Sequence, residues 1–371
     1  MMVLSGHLTY VLWIGKPNPP ISAHIMEPFV WFGWVGVEIF FVISGFVIAY
    51  SAVGIVSNPA TEPRAHTVFF QHRLKRLFPA ALICASFTAT LNYFDGSQTL
   101  LRAIASWFRT LLFLPTAPLP ILRLPFVDFS YWTLTIEVIF YALIYLLLRL
   151  KRLDRLSQVM GILGLASTLF WVVYFVTLSR SGGVTHWHLE SPLNVIAQIT
   201  LLINGCYFAL GVFLWKCLFQ AFTWKRITMI GICILGGALQ IIQRWNFYTP
   251  QVAARIPATL AVVVWIIAVG LIILFTHANV PLQHLLGHRG VSIARRLGLM
   301  TYPLYLLHQQ FGVFLVMHTR TAVGDWIAIL LATVSALGLA YLVSVYLEPP
   351  AQRLLGRLLQ ARPATPETPR A

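Results

Sequence analysis

Nine stretches of the chain, at 30–52, 77–94, 131–148, 157–179, 195–215, 227–243, 257–276, 300–318 and 326–346, are apolar over nearly a full bilayer crossing. A helix of roughly 20 apolar residues spans the ~30 Å hydrocarbon layer. Of the structures that can do so, only helices and closed barrels bond every backbone group. A shorter run at 1–14 makes a tenth. The pattern predicts an all-α fold, a polytopic membrane helical bundle of about ten transmembrane helices. Composition agrees, with 58% hydrophobic and only 10% charged residues among 371. Soluble domains carry about 25% charged residues. A soluble globular enzyme, a disordered chain and a coiled coil are thereby excluded.

Charge placement sets the topology. Residues 101–116 are also apolar, but Arg102 and Arg109 interrupt them. With that stretch outside the membrane and the N-terminus in the cytoplasm, segments 53–76, 149–156, 216–226, 277–299 and 347–371 face inward. They hold 18 of the 26 Lys and Arg. Counting 101–116 as a span would move Arg149, Lys151, Arg152 and Arg155 outside and erase the bias. The positive-inside rule therefore favours ten helices with both termini cytoplasmic. The net charge of +15 is then topology, and nucleic acid is not an expected partner. Residues 1–350 read as one membrane domain, and 351–371 as a cytoplasmic tail expected to be disordered because it is polar and Pro-rich.

Cys84, Cys206, Cys217 and Cys233 lie in or beside apolar runs without a CxxC pair, and read as buried thiols. His186, His188 and Glu190 form an H-x-H-x-E with no fourth ligand, so no metal site is expected.

An ionisable side chain inside a span costs roughly 2.5–3.5 kcal/mol on insertion scales, so each one needs a reason. His7 sits in MVLSGHLTYVLW, where an imidazole facing a cavity is a natural general base and one facing a neighbour is a packing element. Glu38, in GWVGVEIFFVISGF, either holds that imidazole or forms a structural ion pair. Arg73 and Arg76 in FFQHRLKRLFPA share a helix face. Two guanidiniums so placed suit a polyphosphate ligand, or lipid headgroups. Glu137 follows Trp132 into a span in YWTLTIEVIFY. Tyr305 and His308 lie one turn apart in YPLYLLHQQF, as cavity elements or as a local packing bond.

In order along the chain come an early His, G-x-E-x-F-F-x-x-S-G-F, F-F-x-x-R-x-x-R-L-x-P, Y-W-T-L-x-x-E-x-x-F-Y, Y-P-L-Y-L-L-H, and Glu348-Pro349. Together they resemble the acyltransferase 3 family over about residues 5–353. The resemblance implies a ten-helix enzyme of the bacterial cytoplasmic (inner) membrane. It would move an acyl group, most often acetyl, from cytoplasmic acetyl-CoA to a carbohydrate hydroxyl such as one of O-antigen or exopolysaccharide. Acetyl-CoA would be a co-substrate, with no bound cofactor. Carried over by position, His7 matches the family's essential His in the first span, and Glu38 and Glu137 match acidic positions of the G-x-E and Y-W-T-L blocks. Arg73 and Arg76 match paired arginines suited to the coenzyme A phosphates. Trp132, Glu137, Tyr305 and His308 are expected on the acceptor side or in the cavity. A separate periplasmic or polysaccharide-assembly protein is a further expected partner.

The family usually carries an Arg or Lys about eleven residues before the His. Only six residues precede His7 here, and a start codon assigned too late is the expectation. The rival reading is a transporter or flippase for a lipid-linked saccharide, using the same intramembrane charges.

Overall fold

The computed structural model describes residues 2–10, 32–114, 124–180, 192–248 and 257–360. They are helical, joined by turns, with no strand among them. The helices are α1 (Met2–Tyr10), α2 (Val35–Val56), α3 (Ala65–Phe94), α4 (Leu100–Leu111), α5 (Trp132–Arg149), α6 (Leu156–Arg180) and α7 (Pro192–Ile199). They continue with α8 (Gly205–Phe219), α9 (Trp224–Tyr248), α10 (Ala258–His277), α11 (Asn279–Val323), α12 (Asp325–Leu342) and α13 (Glu348–Gln360).

Seven helical segments among the described residues are long and apolar enough to cross a membrane: Val35–Val56, Glu62–Phe94, Phe129–Arg149, Leu153–Thr177, Trp224–Trp245, Ala258–His277 and Asp325–Leu359. The expected count of about ten is therefore not reached by length and apolarity. Three expected spans differ, each for a local reason. The described part of 1–14 is the nine-residue α1. The 195–215 run is broken between α7 and α8 where Leu201 takes φ 58°, leaving α8 only 15 residues long. The 300–318 run is helical within α11, but His308, Gln309, Gln310 and His318 make it too polar to rank with the others. Residues 101–116, expected not to span, contain α4, whose 12 residues reach about 18 Å.

α2 is the central helix, touching α1, α3, α5, α8 and α10. Its approach to α8 is close because both sides are glycine. A Cβ on Gly45 would overlap the Phe208 carbonyl, and one on Gly211 would overlap the Val42 carbonyl. Small residues let membrane helices meet in this way. α6, α8, α9 and α10 gather on one side of α2, and α1, α11 and α12 on another. α10 keeps Leu260, Val263, Ile267, Leu271 and Leu274 exposed, the surface of a peripheral helix that faces lipid.

Two backbone irregularities shape the C-terminal part. Gly287 interrupts α11 at φ 61°, ψ −179°, a conformation open essentially to glycine alone. A five-residue π-helical turn, Val343–Leu347, joins α12 to α13. The tail expected to be disordered from residue 351 begins instead as helix through Gln360. α13 packs against α3, anchored where Glu348 meets Arg76. The Pro-rich composition that suggested disorder belongs mainly to residues beyond Gln360, outside the described ones.

Candidate active site

A cavity of about 550 Å³ lies between α1, α2, α3, α5 and α11. Its walls are largely apolar, formed by residues such as Val3, Ile39, Phe40, Ile43 and Val47. Of the polar residues the sequence singled out, Arg73, Arg76, Glu137, Tyr305 and His308 line it, together with Ser44, Tyr141, Thr301 and Tyr302.

The arginines come from α3, whose RLKR segment places Arg73 and Arg76 on one face. Arg73 Nη2 donates to Ser51 Oγ at 2.7 Å, and its guanidinium lies 5.4 Å from the Phe69 ring centre and 5.7 Å from that of Tyr141. Arg73 Nε is buried without a hydrogen-bond partner. Arg76 lies 3.8 Å from the Glu348 carboxylate and retains 35% side-chain exposure. Its guanidinium also sits 5.3 Å from the Tyr302 ring centre. Glu137, one and a half turns into α5, accepts from Ser44 Oγ at 3.1 Å and from the Tyr141 hydroxyl.

Two histidines meet where α1 crosses α11. His7 Nδ1 and His308 Nε2 are 2.9 Å apart, with ring centres at 5.0 Å and planes within 6° of parallel. His308 lines the cavity, and His7 reaches it through His308. Leu8 packs over Gly312 one turn further on, closely enough that a Cβ there would overlap its side chain. Tyr305 brackets the pair, its hydroxyl 2.9 Å from Thr133 Oγ1 and 3.2 Å from the Ser130 carbonyl that accepts from it.

Glu38 stands elsewhere. Its carboxylate is fully buried and bonds Arg244 Nη1 of α9 at 2.5 Å. Burying one charge makes a partner obligatory, and the α9 guanidinium is nearer than any imidazole. Of the two readings of Glu38, support for His7 or an ion pair, the contact present is the ion pair. Trp132 belongs to that cluster, 5.7 Å beneath the Arg244 guanidinium and edge-on to Phe41, and does not line the cavity.

Two further polar residues join these groups. Arg244 looked like a loop cation because the apolar run before it ends near 243. Asp128, just before the YWTL block, is 1% exposed. Its Oδ1 accepts from the Ser130 N–H and hydroxyl, and its Oδ2 from the Gln310 N–H. An acid beside an aromatic, helix-starting block was its only trace in the sequence. His186, His188 and Glu190 fall outside the described residues.

An apolar cavity lined by two guanidiniums, a carboxylate and an imidazole, inside a bundle of membrane-length helices, belongs to an integral membrane protein. The family model of an acyltransferase domain, acyltransferase 3, matches residues 1–345. The chain belongs to that family and is an acyltransferase. It is 25% identical over 380 residues to nodulation protein 10 of Rhizobium leguminosarum bv. viciae, covering 94% of this chain and 90% of that protein. No solved structure matches it.

Proposed function

We propose that the enzyme moves an acyl group, acetyl in the first instance, from cytoplasmic acetyl-CoA to a hydroxyl of an exported or cell-surface carbohydrate. The observation that carries the reading is the cavity, whose largely apolar wall also carries Arg73, Arg76 and His308, with His7 bonded behind His308. Acetyl-CoA has matching parts in chemical terms: phosphates, a thin neutral arm and a reactive thioester. Arg73 and Arg76 would hold the phosphates as charge-assisted hydrogen-bond donors. The apolar walls would exclude water from the thioester.

At the histidine end, the acceptor oxygen attacks the thioester carbonyl carbon and the C–S bond breaks. His7 takes the hydroxyl proton and returns it to the departing sulfur, so the free thiol leaves. Hydrogen-bond donors near the cavity end would stabilise the negative charge developing on the carbonyl oxygen. The membrane would be the bacterial inner membrane with both termini cytoplasmic, in line with the inward excess of Lys and Arg.

The test compares O-acetyl methyl signals by proton NMR of surface polysaccharide from strains carrying the intact gene, a deletion and a His7→Ala copy. A positioned base contributes about 10²–10⁴ in rate, so both altered strains should lose the signal while the His7→Ala protein remains in the membrane. Full acetylation by His7→Ala would exclude His7 as the base. Unchanged acetylation in the deletion strain would exclude the carbohydrate acceptor.

A further inference from the structure

The tautomer of His7 follows from the atoms around it. His308 Nδ1 lies 2.8 Å from the carbonyl oxygen of Tyr305, one turn back on α11. A carbonyl only accepts, so the His308 proton is on Nδ1. In the neutral ring Nε2 then carries a lone pair. His7 Nδ1 is the atom facing that lone pair at 2.9 Å, so His7 holds its proton on Nδ1 and presents a bare Nε2. A bare ring nitrogen is what a general base requires.

The other charged groups nearby do not supply this orientation. Both oxygens of Asp128 are engaged by Ser130 and Gln310. Glu38 is committed to Arg244. His308 itself is 1% exposed and is held by the carbonyl behind it and by packing along α11, so its acceptor atom is fixed in place.

We propose that His308 is the positioning residue of the reaction, holding His7 in its Nδ1–H tautomer through a Tyr305 carbonyl–His308–His7 relay and so keeping the basic lone pair on His7 Nε2. The role rests on the reading of His7 as the base. It departs from the usual arrangement, in which a carboxylate orients the imidazole.

Three substitutions separate this role from mere packing. His308→Leu removes both nitrogens. His308→Asn keeps an amide N–H for the Tyr305 carbonyl but falls short of His7. His308→Gln extends far enough for its carbonyl oxygen to accept from His7 Nδ1. The full chain in native membranes is supplied with acetyl-CoA and with polysaccharide isolated from the deletion strain, and thiol release gives kcat and KM.

The expected result is a kcat lowered about 100-fold in His308→Leu and His308→Asn, the scale of losing a well-placed base. KM for acetyl-CoA should stay within about twofold, and His308→Gln should recover at least tenfold of the lost rate. Equal activity of the Asn and Gln variants at equal membrane levels would overturn the relay, even if His308→Leu fails to accumulate. A rise in KM with kcat unchanged would overturn it as well, assigning His308 to donor binding. His7→Ala is the control that keeps the two claims apart. If His7→Ala is inactive while every His308 variant turns over normally, the relay fails and the base reading stands. If His7→Ala retains activity, the base reading itself fails.

Discussion

Glu38 and Glu137 are both acids inside apolar helices, both fully or nearly buried at 0% and 5% exposure, and their sequence contexts look alike. Their surroundings differ. Glu38 is locked to Arg244 on a helix 206 residues away, in a packed cluster with Trp132. Glu137 lines the cavity and is held by two neutral hydroxyls, Ser44 and Tyr141, with Arg73 and Arg76 on the same cavity wall. The first acid is paired against a charge and does a structural job. The second is secured by neutral hydroxyls and forms no ion pair within 4 Å with the nearby guanidiniums, which bond Ser51 and Glu348 instead. A buried acid in a membrane helix thus signals that something must partner it, without saying whether the partner is structural or arriving substrate.

The sharpest way to break this comparison is Arg244→Leu. Removing one member of a buried pair strands the other and costs about 3–5 kcal/mol, read as a fall in thermal stability of the purified protein in detergent. Glu38→Leu combined with Arg244→Leu should regain most of it, and a double variant no better than the single one would show that Arg244 acts through other contacts.

On the cavity side the effect should appear in substrate use instead. Arg73→Ala and Arg76→Ala are each expected to raise KM for acetyl-CoA by tenfold or more, since a hydrogen bond to a charged group is worth about 1.5–3 kcal/mol. Arg76→Ala should also lower the melting temperature, because it leaves the buried Glu348 carboxylate without its guanidinium. Unchanged KM in both would remove the arginines from the donor site. The smallest effect belongs to Ser44→Ala, which deletes one of two bonds to Glu137 and should cost about 1 kcal/mol of stability. A loss as large as that of Arg244→Leu would mean the two acids are not different in kind.

Much of the fold was legible because a bilayer imposes length and apolarity on every crossing, and α2, α5, α6, α9, α10 and α12 fall where the hydropathy placed them. The exceptions share a cause. Around α7–α8 and in α11, backbone breaks and clustered polar residues serve interhelical contacts that a running average of apolarity does not register. The helix after Glu348 was missed because its support, the meeting of α13 with α3, is tertiary.

For the site, His308, Tyr305, Glu137, Arg73 and Arg76 were all visible as polar residues in costly positions, and the cavity gathers them. The partnerships were not visible. His7 and His308 are 301 residues apart, and nothing local distinguishes Glu38 as a candidate for His7 from Glu38 as the partner of Arg244. The sequence by itself determined that this is a helical membrane protein, which residues would have to be sheltered from lipid, and, through their order, the family. Only the tertiary structure decided which sheltered groups meet, because hydrogen bonds and ion pairs act over about 3 Å while the helices that carry them are set by packing along their whole length.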